Sequence, residues 1–294
     1  MTWTILMPFI LILSGLLYMG FARKIHARIQ KRYGPPFYQN IYDVIKLFSK
    51  REAAFHGGMF HFGPVLSLTG VIMALMFLPV GGKPLFSFQG DLFVLLYLMV
   101  IAPLGLALGA GNAENPLASV GIARALTLML GYEIPFFIGV VPIIARYNTT
   151  QIAEIIHLQQ MNGWNIVVFP ISALASLIAV HAMLGNKPFD QPIAPHEIAT
   201  GPLVEYGGKY LALLQLYQAG ALLLTTGVVV DLFLGGSSNI WLFFVKTFIV
   251  YFVLLLIGEV LPRFRIGNAM RFFWKWPLAI AILGLFISIL EGIK

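Results

Sequence analysis

The sequence contains no cysteine. Disulfides are therefore excluded, and the chain cannot by itself ligate an iron–sulfur cluster or a thiolate-bound metal. Its six histidines are scattered without HxxxH spacing, which argues against a metal site built from this chain alone. Charge is scarce too: 11% of the 294 residues are Asp, Glu, Lys or Arg, where a soluble domain carries about 25%. There is no repeat at a fixed period and no pair of matching broken spans of the kind that marks a two-halved transporter.

What the chain has in abundance is apolar. Hydrophobic residues make up 59% and the mean hydropathy is +0.86. Such a composition leaves no room for a separate soluble domain and predicts an all-α integral membrane protein, a single polytopic domain over residues 1–294. A span needs about 20 apolar residues, and eight stretches qualify: roughly 2–22, 62–80, 91–111, 116–145, 164–185, 203–234, 240–260 and 273–292. The fourth carries Pro135 and Pro142, which predict a kink. Arg23-Lys24 follow the first span and no basic residue precedes it, the reverse of a cleavable signal peptide, so it is expected to remain as an anchor.

The net charge of +7 is no nucleic-acid signal, because the basic residues cluster in loops beside spans. Placing loops 23–61, 109–116, 186–202 and 261–272 on one side gathers most of them, with only Lys83, Arg146 and Lys294 opposite. The crowded side is expected to be cytoplasmic, in a multi-pass protein of the cell membrane with both termini outside. Within the first of these loops, Phe37, Ile41, Val44, Ile45 and Phe48 recur at helical spacing, with Gln39, Asn40, Asp43, Lys46 and Lys50 on the other face. That pattern predicts an amphipathic helix lying in the membrane interface; a ledge for a cytoplasmic partner is the sharper alternative, and the pattern alone favours the lipid-surface helix.

An ionisable group at the bilayer centre costs about 3 kcal/mol on insertion scales, so each one in a span asks for a reason. Arg124 and Glu133 lie nine positions apart in the fourth span, on roughly opposite faces, and each needs a partner elsewhere. Glu205 and Lys209 are spaced for an i, i+4 pair at the start of the sixth span. Asp231 and Glu259 stand near span ends, where a solvated charge is the plain explanation, Lys246 could snorkel outward, and His181 reads as a hydrogen-bonded interior histidine. Glu133 is deep and followed by a proline, which favours a functional role. Together these groups suggest a relay for protons or small cations. The polar, proline-rich central loop, residues 186–202, would form its mouth.

The same residues resemble a known family. Pro188-Phe189-Asp190-Gln191-Pro192, Glu197, Gly201 and Glu205-Tyr206 resemble the PFDLPE…E…G…EY signature of the H-type membrane subunit of respiratory complex I. Arg124 with Gly131-Tyr132-Glu133-Ile134-Pro135 resembles that family's R…SYEIP. Arg28, Gln30, Arg32, Gly34-Pro35, Gln39, Asp43, Lys46-Leu47 and Lys50 resemble its first loop. The likeness runs from about Arg23 to Trp276. The chain departs where complex I subunits read E-T-N-R-x-PFD, having Met183-Leu184-Gly185-Asn186-Lys187, and where they carry further acids, having Ile193 and Pro195. Gly34-Pro35-Pro36, Glu114-Asn115-Pro116 and the stretch Arg263 to Lys275 look more like the relatives in membrane-bound, energy-converting nickel–iron hydrogenases.

The resemblance implies a membrane subunit, non-catalytic alone, that seats a hydrogenase-like large and small subunit on its cytoplasmic face beside antiporter-like membrane subunits. The nickel–iron centre and iron–sulfur clusters are expected in those partners, with reduced ferredoxin as indirect electron donor. By position, Glu133, Glu205, Glu197 and Asp190 inherit an ion-translocation role, with Arg124 and Lys209 as charge partners. Arg28, Arg32, Asp43, Lys46, Arg263 and Arg265 are expected to dock the partners. Three other expectations stay open: the quinone-site subunit of a complex I relative, the same subunit in a sulfur-reducing sister complex, and an independent ion transporter.

Overall fold

A computed structural model describes residues 2–51, 56–82 and 84–290 of the chain. Lys83 and Lys294, two of the three basic residues expected opposite the crowded side, lie outside the described residues. The helices are α1 (Thr2–Ile29), α2 (Gln39–Ser49), α3 (Gly58–Met76), α4 (Asp91–Gly111), α5 (Pro116–Tyr147), α6 (Ile152–Asn162), α7 (Asn165–Val168), α8 (Pro170–Met183), α9 (Pro195–Ile198), α10 (Gly208–Phe233), α11 (Ile240–Val260), α12 (Ile266–Lys275) and α13 (Pro277–Leu290). No strand occurs among the described residues.

Among the described residues, seven stretches are long and apolar enough to cross a membrane: Leu6–Ile29, Gly58–Met76, Asp91–Gly111, Pro116–Tyr147, Gly208–Phe233, Ile240–Val260 and Ile266–Leu290. The span expected over 164–185 is broken instead. Proline has no N–H to give a helical ladder, and Pro170 takes the first position of a new helix after Phe169 at φ −121°, ψ 61°. The resulting α8 has 14 residues, about 21 Å of rise, less than a full crossing. Helix α5, by contrast, runs unbroken through Pro135 and Pro142. Residues 261–272, expected as loop, contain most of the amphipathic helix α12, beyond whose end Trp276 stands exposed beside exposed Trp274.

By packing, the chain forms two compact units. The first comprises Met1–Leu75, Leu96–Ala125 and Pro192–Leu224. Here α2 is the expected amphipathic helix, but its polar edge faces the protein. Asn40 is buried and donates to the Leu16 carbonyl of α1 at 3.2 Å, while Arg23 of α1 reaches Asn40 at 2.6 Å and Asp43 at 3.1 Å. Tyr42, Ile45 and Phe48 stand exposed, the apolar side that an interfacial helix offers to lipid or to a partner. Helices α3 and α4 meet through small residues: a Cβ added at Gly63 would lie 2.4 Å from the Gly109 Cα. Such close backbone approach is how membrane helices associate when water supplies no driving force.

The second unit comprises Met76–Leu95, Leu126–Gln191 and Thr225–Lys294. In it α8 packs on α13, where Gly284 faces Ser172. Phe189, Phe273, Leu128, Ala182 and Ala269 form a buried cluster. At the start of α4, buried Asp91 accepts the backbone N–H of Ile152 at 2.9 Å and so ties that helix start to α6.

Candidate functional site

The charged residues of the central loop find separate partners. In the first unit, Arg124 of α5 donates to Glu197 of α9 at 2.7 Å, a pair with side chains 24% and 48% exposed. The loop that carries Glu197 is left-handed at Ala199, Thr200 and Gly201, with φ of 47°, 76° and 53°.

Glu205 lies before α10 rather than within it. Gly208, at φ 49°, starts the helix, so Glu205 and Lys209 do not share the helical turn that the i, i+4 spacing suggested. The Glu205 carboxyl instead accepts the Asn115 side-chain amide and lies 3.7 Å from His56 Nε2. Asn115 also acts on its own helix. Its Oδ1 accepts the Leu117 N–H at 2.9 Å, capping α5 ahead of Pro116 at the first helical position. One short motif, Asn-Pro, thus starts the helix that carries Arg124 and Glu133 and also fixes Glu205. The adjoining Tyr206 is buried, stacks on Phe60 at 4.2 Å and donates its hydroxyl to the Phe60 carbonyl at 3.1 Å. Burial pushes that phenol above its ordinary range. His61 stacks on Tyr210 at 4.7 Å, and the Lys209 ammonium lies 5.0 Å from the same Tyr210 ring.

In the second unit, Asp190 receives a two-pronged bond from Arg263, Nε to Oδ1 at 2.7 Å and Nη2 to Oδ2 at 2.6 Å, with both side chains under 20% exposed. Gln191 donates to the carbonyls of Pro188 and Phe264 at 2.8 and 3.0 Å, and Phe264 N–H returns a bond to Pro188 at 3.1 Å. Phe189 sits in rings contributed by Phe264, Phe272 and Phe273. His181 is the interior, hydrogen-bonded histidine that the sequence suggested, 2.7 Å from the Lys187 carbonyl. The segment Lys187–Gln191 is therefore stapled to the chain around Phe264. Asp190 and Arg263, placed by sequence in an ion path and a docking surface respectively, are each other's partner.

Glu133 stands half-buried on α5. Among the described residues no hydrogen bond or ion pair reaches its carboxyl. Of the residues expected to dock partners, Arg28, Arg32, Lys46 and Arg265 are exposed, whereas Asp43 is engaged by Arg23 and Gln39. Sequence reasoning missed Asn115 and His56 as partners of Glu205. The Asn-Pro cap was a usable signal for the first, and nothing local pointed to the second. No group of three potential ligands among the described residues could hold a metal ion.

Residues 2–289 match the model of the NADH dehydrogenase family. The chain is similar to the H subunit of the F(420)H(2) dehydrogenase of Methanosarcina mazei, at 29% identity over 94% of this chain and 90% of that one. It is similar to the H subunit of the NADH-quinone oxidoreductase of Protochlamydia amoebophila, at 31% identity over 92% and 91%. Among solved structures, a chain of the membrane-bound sulfane sulfur reductase, an archaeal respiratory membrane complex, superimposes with a TM-score of 0.93 at 36% identity, covering 97% of this chain and 98% of its own.

Proposed function

Because the chain belongs to the NADH dehydrogenase family, as an H-type membrane subunit of complex I-like respiratory complexes, we propose that it anchors a soluble redox module and couples it to ion translocation. In this reading the iron–sulfur clusters and the nickel–iron centre of a hydrogenase-type arm belong to partner subunits, since a chain without cysteine cannot supply their thiolate ligands. In the finer form of the proposal, reduced ferredoxin drives hydrogen evolution in that arm, and the energy moves protons or sodium ions through the membrane subunits. The basic loops face the cytoplasm and receive the arm through exposed Arg28, Arg32, Lys46 and Arg265.

The observation that carries this proposal is the central loop. Of the acids in and beside it, Glu197 is held by Arg124, Glu205 by Asn115 and His56, and Asp190 by Arg263. Where quinone-linked relatives add acids, this loop has Ile193 and Pro195. Such pairings are where a docked module would act, and the loop lacks the acidic wall expected beside a quinone. The metal and activity of the purified complex test the proposal. Nickel together with ferredoxin-dependent hydrogen evolution supports the hydrogenase arm; quinone reduction without nickel would overturn it.

A second reading is favoured by one observation, the full-length likeness to a chain of the sulfane sulfur reductase complex at 36% identity. In that case the same purification yields a nickel-free complex that reduces sulfane sulfur.

A further inference from the structure

The C-terminal end of α10 holds a charged group that the central loop does not use. Asp231, two residues from the helix end, is 1% exposed, and neither carboxylate oxygen has a hydrogen-bond partner among the described residues. The sequence suggested a solvated charge there, and the structure corrects that: the surrounding helices have closed over it. Burying an isolated carboxylate is costly, and such a group ordinarily neutralises by taking a proton.

Around it the turn is built in detail. Among the described residues, Lys246 of α11 is the charged group that interacts electrostatically with Asp231. Its Nζ donates to the carbonyls of Leu234 and Gly236 at 2.7 and 2.6 Å and lies 4.8 Å from the Trp164 ring. From α6, Gln159 donates to the Asp231 carbonyl at 2.8 Å and accepts the Gly235 N–H at 3.1 Å. Asn165 of α7 donates to the Leu232 carbonyl at 2.8 Å, and Gln160 to that of Gly235 at 3.3 Å. The other charged groups of the neighbouring elements are engaged or exposed: Glu154 accepts the Thr149 hydroxyl, Arg146 lies over the Tyr147 and Phe169 rings, and His157 is exposed.

This arrangement discriminates between ligands. The carbonyls of residues 231, 232, 234, 235 and 236 already accept an amide or an ammonium. A metal cation needs several free oxygens, whereas a proton needs one. We propose that Asp231 is a proton-binding carboxyl, with Lys246 as its tethered counter-cation, forming a proton-exchange site at the end of α10 distinct from the charged groups of the central loop. Release turns the carboxylic acid into carboxylate plus a free proton. The Lys246 ammonium keeps its own proton and balances the new negative charge. Lys246 and Trp164, which line this turn, are partly exposed.

Infrared difference spectroscopy of the purified complex, titrated with pH in H2O and D2O, tests this whatever acceptor the redox arm uses. Wild type should show a carboxylic-acid C=O band that shifts in D2O and is missing in Asp231→Asn. In Lys246→Met that band should persist to higher pH, since the charge favouring carboxylate is gone. In vesicles, Asp231→Asn should lose gradient formation while redox turnover continues. The proposal is overturned by the absence of an Asp231-dependent band, by a band indifferent to D2O or to Lys246→Met, or by unchanged gradient formation in Asp231→Asn. Should Asp231→Asn not assemble, Asp231→Glu, expected to displace the band, and Lys246→Met carry the same test.

Discussion

Two carboxyls show how differently a charge can be kept in this chain. Asp190 is forked onto Arg263, and truncating either partner strands the other in a poorly hydrated loop, a loss of about 2–4 kcal/mol. Asp190→Asn and Arg263→Gln should therefore each lower the thermal stability of the solubilised complex. In the double variant their effects should fall short of additive by about 1–3 kcal/mol in a mutant cycle. Additive losses would show that the pair is not coupled. Glu133 has no such partner among the described residues. Glu133→Gln preserves its shape and removes its titration, so gradient formation should be lost while redox turnover with soluble donors continues; wild-type pumping in that variant would take Glu133 off the ion path.

At the scale of elements, the close approach of α3 and α4 depends on glycine. Gly109→Val places a side chain where the Tyr206 hydroxyl lies 2.4 Å from an added Cβ and the Gly63 Cα 2.8 Å. Overpacking of that kind costs about 1–3 kcal/mol, to be read as a lower midpoint for thermal inactivation of the complex, whereas Gly267→Ala, with open space around it, should leave the midpoint unchanged. Seven spans and the helix over residues 39–49 were legible in the sequence because apolar length and periodicity are local properties. The break at Pro170 was hidden, because hydropathy averages over a proline that costs backbone bonds without adding polarity. The partners of the candidate site were less legible still. Asp190 and Arg263 stand 73 residues apart, Asn115 and Glu205 90, and nothing local says which loops meet. The i, i+4 spacing of Glu205 and Lys209 misled because it presumed a helix that starts only at Gly208. Asp231 misled for the converse reason: a span end looks solvated until α6, α7 and α11 are placed around it.

For the whole molecule, the decisive property is that the acids in and beside the central loop are occupied, among the described residues. Glu197, Glu205 and Asp190 each have a partner, and Lys246 is tethered to two carbonyls. On the proposed reading, ions pass these groups when the pairings change, and the energy for that change comes from the docked module. Stripping that module from membrane vesicles with high salt, which weakens contacts made by exposed Arg28, Arg32 and Lys46, should therefore leave this multi-pass chain in the bilayer and abolish reductant-driven gradient formation. It should not make the vesicles leaky, so the decay of an imposed pH jump should match that of vesicles lacking the complex. A faster decay that disappears in Glu133→Gln would mean instead that the path conducts without its engine, and that coupling resides in a gate elsewhere.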